Sequence, residues 1–104
     1  MVGRIIQMAA PNALFAVFSV SDAGAIETQL QTIAPWLYLK VAEGQWLIVA
    51  PSASTTKEVS DRVGITTEKP ISNGIVLRAE GYYGRAPASV WEWIVAKSGA
   101  EVYL

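Results

Sequence analysis

The chemistry open to this chain rests on carboxylates, tyrosines and arginines, because its 104 residues include no histidine and no cysteine. Histidine is the commonest general base, and histidine and cysteine supply the usual zinc ligands. Their absence excludes Ser-His and Cys-His nucleophile arrangements and thiolate metal sites. Gly81 and Gly84 flank two tyrosines and match neither the P-loop nor the dinucleotide-binding pattern. We therefore expect no cofactor.

Asp22 is the strongest candidate for a catalytic residue or a metal ligand. It follows the apolar run from Leu14 to Val20, which is rich in strand-forming residues and predicts a buried strand. At the end of that strand its carboxylate could hold a divalent cation, and a dimer would bring two such carboxylates together. The alternative, which the sequence favours, is that Asp22 caps a helix beginning at Ala23.

A second candidate site is the segment from Tyr82 to Arg85. Aromatic side chains beside an arginine on a glycine-bearing loop can stack on a base or clamp a phosphate. This makes Tyr82, Tyr83 and Arg85 candidate binding residues. The alternative, again favoured, is an apolar lid over the edge of the sheet with Arg85 in solvent. The four tryptophans are expected in the core and at interfaces rather than at a ligand: Trp36, Trp46, Trp91 and Trp93.

Apolar runs, caps and turns place these residues on elements in the order β-α-β-β-α-β-α. That order predicts an α+β fold, the ferredoxin-like split βαβ (β-α-β-β-α-β) with an added C-terminal helix. We expect a single domain over residues 1–104, in which residues 1–11 form a flexible N-terminal arm or reflect a start upstream of Met8. The predicted elements are a strand at 14–20, a helix ending at Pro35, strands at 36–41 and 46–50, a helix at 52–64 opened by a Thr55/Glu58 capping box, a strand at 75–80 and a helix at 88–97.

The turn between the second and third strands suggests which residues share a face. Glu43-Gly44 favours a two-residue hairpin loop, and residues directly opposite one another in a hairpin lie on the same side. This register predicts a core face made by three opposed pairs: Val41 with Trp46, Leu39 with Ile48, and Leu37 with Ala50.

The opposite face is then expected to be largely apolar as well, although an antiparallel sheet usually exposes polar residues on one side. Its predicted members are Tyr38, Lys40, Leu47, Val49, Phe15, Val17, Val76 and Arg78. One helix is too narrow to cover four strands, so we expect the C-terminal helix to cover part of this face and a partner to cover the rest. The predicted interface residues are Phe15, Tyr38, Leu47, Val49 and Val76.

The amino-acid composition supports the expectation that a partner covers part of the sheet. The chain is 52% hydrophobic and 16% charged, compared with about 25% charged in an average soluble domain, and its mean hydropathy is +0.32.

No apolar run reaches the ~18 residues of a membrane helix, so we expect no membrane association. Eight basic residues are spread along a chain of net charge −1, which disfavours nucleic acid. The lack of cysteine suits the cytoplasm, where we expect the protein to be located.

Three segments form a further pattern, W-L-Y-L-K-V-A-E-G-Q-W-L-I-V-A from Trp36 to Ala50, T-T-K-E-V-S-D-R-V from Thr55 to Val63, and I-V-L-R from Ile75 to Arg78. The stretch 14–80 that contains them resembles the small ferredoxin-like nucleases of CRISPR adaptation and their toxin-like relatives. The resemblance implies a ferredoxin-like domain that dimerises through its sheets, with a catalytic aspartate at the end of the first strand. Asp22 is the residue that could take that role, one or two positions later than the family pattern.

Three functions are compatible with these features. The favoured one is a non-enzymatic interaction module that acts as a homodimer or docks onto a larger assembly. The first alternative is a metal-dependent ferredoxin-like nuclease that uses Asp22. The second is small-ligand binding in a dimer cleft that uses Tyr82, Tyr83 and Arg85.

Overall fold

A computed structural model describes residues 12–98 of the chain. Its four antiparallel strands lie in the order β2-β3-β1-β4, which with these connections is the ferredoxin-like split βαβ fold followed by a third helix, so the predicted fold class is confirmed. The predicted arm at residues 1–11 lies outside the described residues. The elements are β1 (Asn12–Ser21), α1 (Ala23–Leu30), β2 (Leu37–Ala42), β3 (Gln45–Pro51), α2 (Thr56–Arg62), β4 (Asn73–Arg78) and α3 (Ala88–Ser98).

Helices α1 and α2 cover one side of the sheet, here called the first face. The α2 helix begins with the predicted capping box: the Thr55 hydroxyl accepts a hydrogen bond from the Glu58 amide at 3.0 Å, and the Glu58 carboxylate accepts one from the Thr55 amide at 2.7 Å. Burial of apolar side chains between sheet and helices is the main stabilising contribution here. The fully buried members of this core are Phe15, Val17, Ile26, Leu30, Ile33, Trp46, Ile48, Val59 and Val63.

The hairpin register differs from the predicted one by a single residue. Ala42 pairs with Gln45 across the expected two-residue loop, but the next pair is Lys40 with Trp46, which leaves Val41 unpaired in a β-bulge. An extra residue in one strand reverses the side on which the rest of that strand points. The prediction that Leu37 and Leu39 face the two helices is therefore wrong. The observed pairs are Tyr38 with Ile48, Leu39 with Leu47, and Leu37 with Val49.

The faces of β1 and β4 were also assigned incorrectly. Phe15 pairs with Ile48 and Val17 with Trp46, so both side chains lie in the core under α1 and α2. Val76 and Tyr38 pack against the same core. Phe15, Tyr38 and Val76 are thus not on the face assigned to the interface, whereas Leu47 and Val49 are. Simple alternation could not choose between the two sides, because successive residues of β1 are apolar on both.

Arg62 anchors the end of α2 to the connection between α1 and β2. Its guanidinium donates hydrogen bonds to the carbonyls of Ile33 and Ala34, both at 3.1 Å, and lies 4.7 Å from the ring centre of Trp36. In return, the Gln29 side chain donates to the Arg62 carbonyl at 3.1 Å. This arginine therefore has a structural role.

Two lysines form ion pairs on the same side of the molecule. Lys40 lies 2.9 Å from Glu43 and 3.0 Å from Glu27, and these hydrogen-bonded carboxylates raise the pKa of Lys40 above its ordinary value. Lys57 contacts Asp61 at 2.8 Å and, with a smaller contribution from Thr66, lowers the pKa of the Asp61 carboxyl. Exposed pairs of this kind add little stability. The Lys57–Asp61 pair lies within α2, and Lys40 on β2 connects α1, through Glu27, to the β2–β3 turn, through Glu43.

Gly64 is required where α2 ends. Its φ of +89° lies in the left-handed region, and an added Cβ would lie 2.7 Å from two side-chain carbons of Ile71. We expect Gly64→Ala to lower the free energy of unfolding by about 1–2 kcal/mol from the backbone term, with a further loss from displacing Ile71. Gly81→Ala is the matched control, because no atom lies within 4 Å of its added Cβ, and should change stability by less than about 0.5 kcal/mol. Urea unfolding followed by circular dichroism measures both, and equal stabilities would contradict this account.

Candidate functional site on the second sheet face

The side of the sheet opposite α1 and α2, here called the second face, is formed by apolar strand residues. The observed pairings place Leu14, Ala16 and Phe18 of β1 on this side. Large apolar side chains on both sides of an antiparallel sheet require cover on both. The remaining strand residues that these pairings bring to the second face are Leu37, Leu39, Leu47, Val49, Ile75 and Leu77.

Helix α3 covers one end of the second face. Ile94 is buried against Leu14 and Val49, and Val90, Trp91 and Trp93 are partly buried around them. The side-chain amide of Asn12 donates a hydrogen bond to the Lys97 carbonyl at 3.4 Å, which places the end of α3 beside the start of β1. The expected partial cover by the C-terminal helix is therefore observed.

Within residues 12–98, no element covers the other end of the second face. Phe18 is 38% exposed, Ile75 53% and Leu77 51%, although Phe18 and Ile75 face each other across β1 and β4. Val41 is exposed to a similar degree at the same end of β2 and lines this side of the sheet with Leu47 and Leu77. Leu37 is also exposed, but it pairs with Val49 in the row of residues that α3 covers. We call Phe18, Val41, Ile75 and Leu77 the apolar patch. Exposed apolar surface of this kind marks interaction sites on small domains.

A cavity of about 490 Å³ separates the apolar patch from the covered end. Ala16, Leu47 and Leu77 form its floor on the sheet, and α3 and the loop at 79–87 form its walls. The rings of Tyr82 and Trp91 stack within this wall, with centres 6.3 Å apart and planes inclined by 17°. The other lining residues are Leu14, Val41, Arg78, Ala79, Glu80, Gly81, Tyr83, Val90 and Ile94.

The structure brings together two of the three residues predicted for the binding loop. Tyr82 and Tyr83 both line the cavity, whereas Arg85 is exposed and is not among the lining residues. Tyr83 is fully exposed at the cavity rim. The loop thus meets the second face through its tyrosines, and the predicted clamp of tyrosines and Arg85 is not assembled.

The positive charge of Arg78 is directed away from the cavity. Its guanidinium lies 5.5 Å from the ring centre of Phe15 on the first face and donates to the carbonyls of Ser52 and Ser54 at 3.0 and 3.1 Å. The Glu80 carboxylate contacts the Arg78 Nε atom at 3.4 Å. The cavity is therefore apolar in character, with the Tyr82 and Tyr83 hydroxyls as its neutral polar groups.

Asp22 lies at the end of β1, as predicted, and its carboxylate caps α1. It accepts a hydrogen bond from the Ala25 amide at 3.1 Å, and its backbone adopts a left-handed φ of 48°. The Ser72 hydroxyl donates to the Asp22 carbonyl at 3.1 Å and also to the Ser21 carbonyl. Across residues 12–98, no three acidic, histidine or cysteine side chains are grouped so that they could hold a metal.

The sequence-based reasoning missed most of the cavity. Leu14 and Ala16 were not considered, because their alternation with Phe15 and Val17 gives no polar side to β1. Leu77 was missed because its neighbours on β4, Val76 and Arg78, were assigned to this face instead. Val90 was likewise overlooked, although it lies one residue before Trp91 and the helical spacing from Val90 to Ile94 could have indicated a common face.

Comparison with known proteins leaves the chain without a family assignment. No family model matches it. No curated protein and no solved structure matches it at a significant level. The helices within residues 12–98 all fall short of the length and apolar character needed to cross a membrane.

Substitutions at Asp22 test its capping role. We expect Asp22→Asn to keep wild-type stability, because asparagine is an equally good N-cap and tolerates a left-handed φ. Asp22→Ala should lower the free energy of unfolding by about 2 kcal/mol through loss of the cap and backbone strain. Urea unfolding of the two variants measures the difference. Thermal stabilisation of the wild type by Mn²⁺ that Asp22→Asn abolishes would instead identify a metal ligand.

Proposed function

We propose that this chain is a non-enzymatic interaction module that forms a homodimer through its second face. The observation that carries the proposal is the apolar patch, four large apolar side chains that α3 leaves exposed at one end of a largely apolar sheet face. Covering that surface removes it from water, which is the dominant favourable contribution to most protein association.

The exposed area approaches what one partner of a dimer contributes. Patch residues are 38–53% exposed, and Tyr82 and Tyr83 extend the surface across the cavity rim. With about 150–250 Å² for a large side chain, these six residues present roughly 650 Å². The largest patch on a typical monomer is about 300–600 Å², whereas each partner in a standard interface contributes about 800 Å².

The charge distribution favours a second copy as the occupant. In a two-fold dimer each patch meets itself, so any charge on the patch would face a like charge. The patch carries no charged side chain, and the net charge of −1 gives little repulsion between copies. The ion pairs of Lys40 and Lys57 belong to the helix-covered side and its rim.

The proposal that the chain is not an enzyme is supported by the structural hydrogen bonds that its polar side chains make. Asp22 caps α1, Arg62 binds two carbonyls, and Arg78 binds two others across the first face. Groups held by such contacts are fixed by the fold. We therefore assign no reaction to them.

Sedimentation equilibrium of the full chain tests the proposal. We expect the wild type to be dimeric at tens of micromolar. Ile75→Lys should weaken dimerisation at least about tenfold, because it would place two unpaired ammonium groups in the interface. Ile75 lies on the edge strand β4, where an isolated monomer tolerates lysine.

Val95→Lys is the matched control. Val95 is apolar, is exposed on α3 and lies outside the patch, so this variant should dimerise like the wild type. A monomeric wild type would overturn the homodimer and leave a different protein chain as the occupant of the patch. If Val95→Lys weakened dimerisation as much as Ile75→Lys does, the contact would lie on α3 instead.

A further inference from the structure

We propose that the cavity between the second face and α3 binds an uncharged, largely aromatic small molecule. Val41, Leu77 and the two tyrosines belong both to this cavity and to the surface proposed for the dimer, whereas Phe18 and Ile75 do not line the cavity. Residues of one chain form its floor, its α3 wall and its tyrosine rim. A second chain is not needed to complete it.

The volume of the cavity fits a small organic molecule. Ligand sites commonly occupy about 300–1,000 Å³ and combine apolar walls with a few polar groups that fix orientation. At about 490 Å³, this cavity has room for a molecule of about two or three rings.

The walls favour a flat, apolar ligand. Ala16 has the smallest side chain on the floor and leaves a shallow depression between Leu47 and Leu77, its neighbours on β3 and β4. The stacked rings of Tyr82 and Trp91 form an aromatic wall beside it. Aromatic side chains pack against other rings in offset or edge-to-face contacts that contribute beyond the buried area.

The electrostatics disfavour a charged ligand. Arg78, the one basic residue among the described residues that lines the cavity, directs its guanidinium to Phe15 and to the carbonyls of Ser52 and Ser54 on the first face. An anion would therefore lose its hydration without gaining a cationic partner, which is costly in an apolar site. Glu80 already contacts Arg78 at 3.4 Å and is exposed to solvent, which leaves a cation without a buried counter-charge.

The loop that carries the tyrosines can adjust around a ligand. Residues 79–87 form no regular helix or strand, and no neighbouring atom lies within 4 Å of the positions where Gly81 and Gly84 would carry a Cβ. Within the described residues, the Tyr82 ring stacks on Trp91. Glycines on both sides of the tyrosines allow that stack to move with little steric resistance.

Fluorescence titration with the neutral probe N-phenyl-1-naphthylamine tests the site in the full chain. We expect saturable enhancement with one probe bound per chain and a rise in Tm, because a ligand that binds the native state stabilises it. Ala16→Phe should fill the floor and weaken binding at least about tenfold. Ala53→Phe is the matched control, since Ala53 is exposed in the turn after β3 and does not line the cavity.

A second filling variant guards against misfolding of the first. Val90→Phe fills the cavity from α3 and should also weaken probe binding, while circular dichroism reports whether each variant is folded. Absence of saturable binding by the wild type would overturn the proposal. Wild-type affinity in the folded filling variants would overturn it equally, because the probe would then bind elsewhere.

The Ile75→Lys variant separates this proposal from the dimer. If one chain forms the site, monomeric Ile75→Lys should bind the probe with wild-type affinity. Loss of probe binding in that monomer would contradict a site within one chain. If the wild type is dimeric and neither it nor monomeric Ile75→Lys binds the probe, the ligand proposal alone is overturned. A monomeric wild type that binds the probe would overturn the dimer alone.

Discussion

The central strand β1 is the element on which the rest of the domain depends. Both of its edges are paired, with β3 on one side and β4 on the other, and both of its faces carry apolar side chains. Phe15 and Val17 are fully buried under α1 and α2, while Leu14 is buried under α3. A strand that is apolar on two sides must have two layers of cover. Within residues 12–98, the fold provides the first layer completely and the second only in part.

Local signals in the sequence were sufficient to predict the order of the elements. The Thr55/Glu58 capping box, Gly64 and the Glu43-Gly44 turn act over a few residues, so they could be located without tertiary information. Asp22 was correctly placed at the end of β1, and its carboxylate contact with the Ala25 amide is the capping interaction that the sequence favoured. These features located the elements and their order, although the predicted starts of β4 and α2 differ from the observed ones by two and four residues.

The faces of the sheet could not be predicted in the same way. One unpaired residue, Val41, reversed the side on which Leu37 and Leu39 lie, and no feature of the sequence announces a bulge there. The candidate site was recognised only through Leu47, Val49, Tyr82 and Tyr83. The cavity also requires the path of α3 across the sheet, which is set by packing of Ile94 and Trp91 rather than by any local pattern.

The bulge at Val41 also bears on how copies of the domain can add to one another. It lies in β2, which is an edge strand and therefore presents backbone groups that could pair with a strand from another chain. A bulge interrupts that row of donors and acceptors and increases the local twist, which hinders addition of a further strand along this edge. Growth of a continuous intermolecular sheet is disfavoured at β2. Contact through a face, by contrast, leaves the strand edges unchanged and can end at two chains.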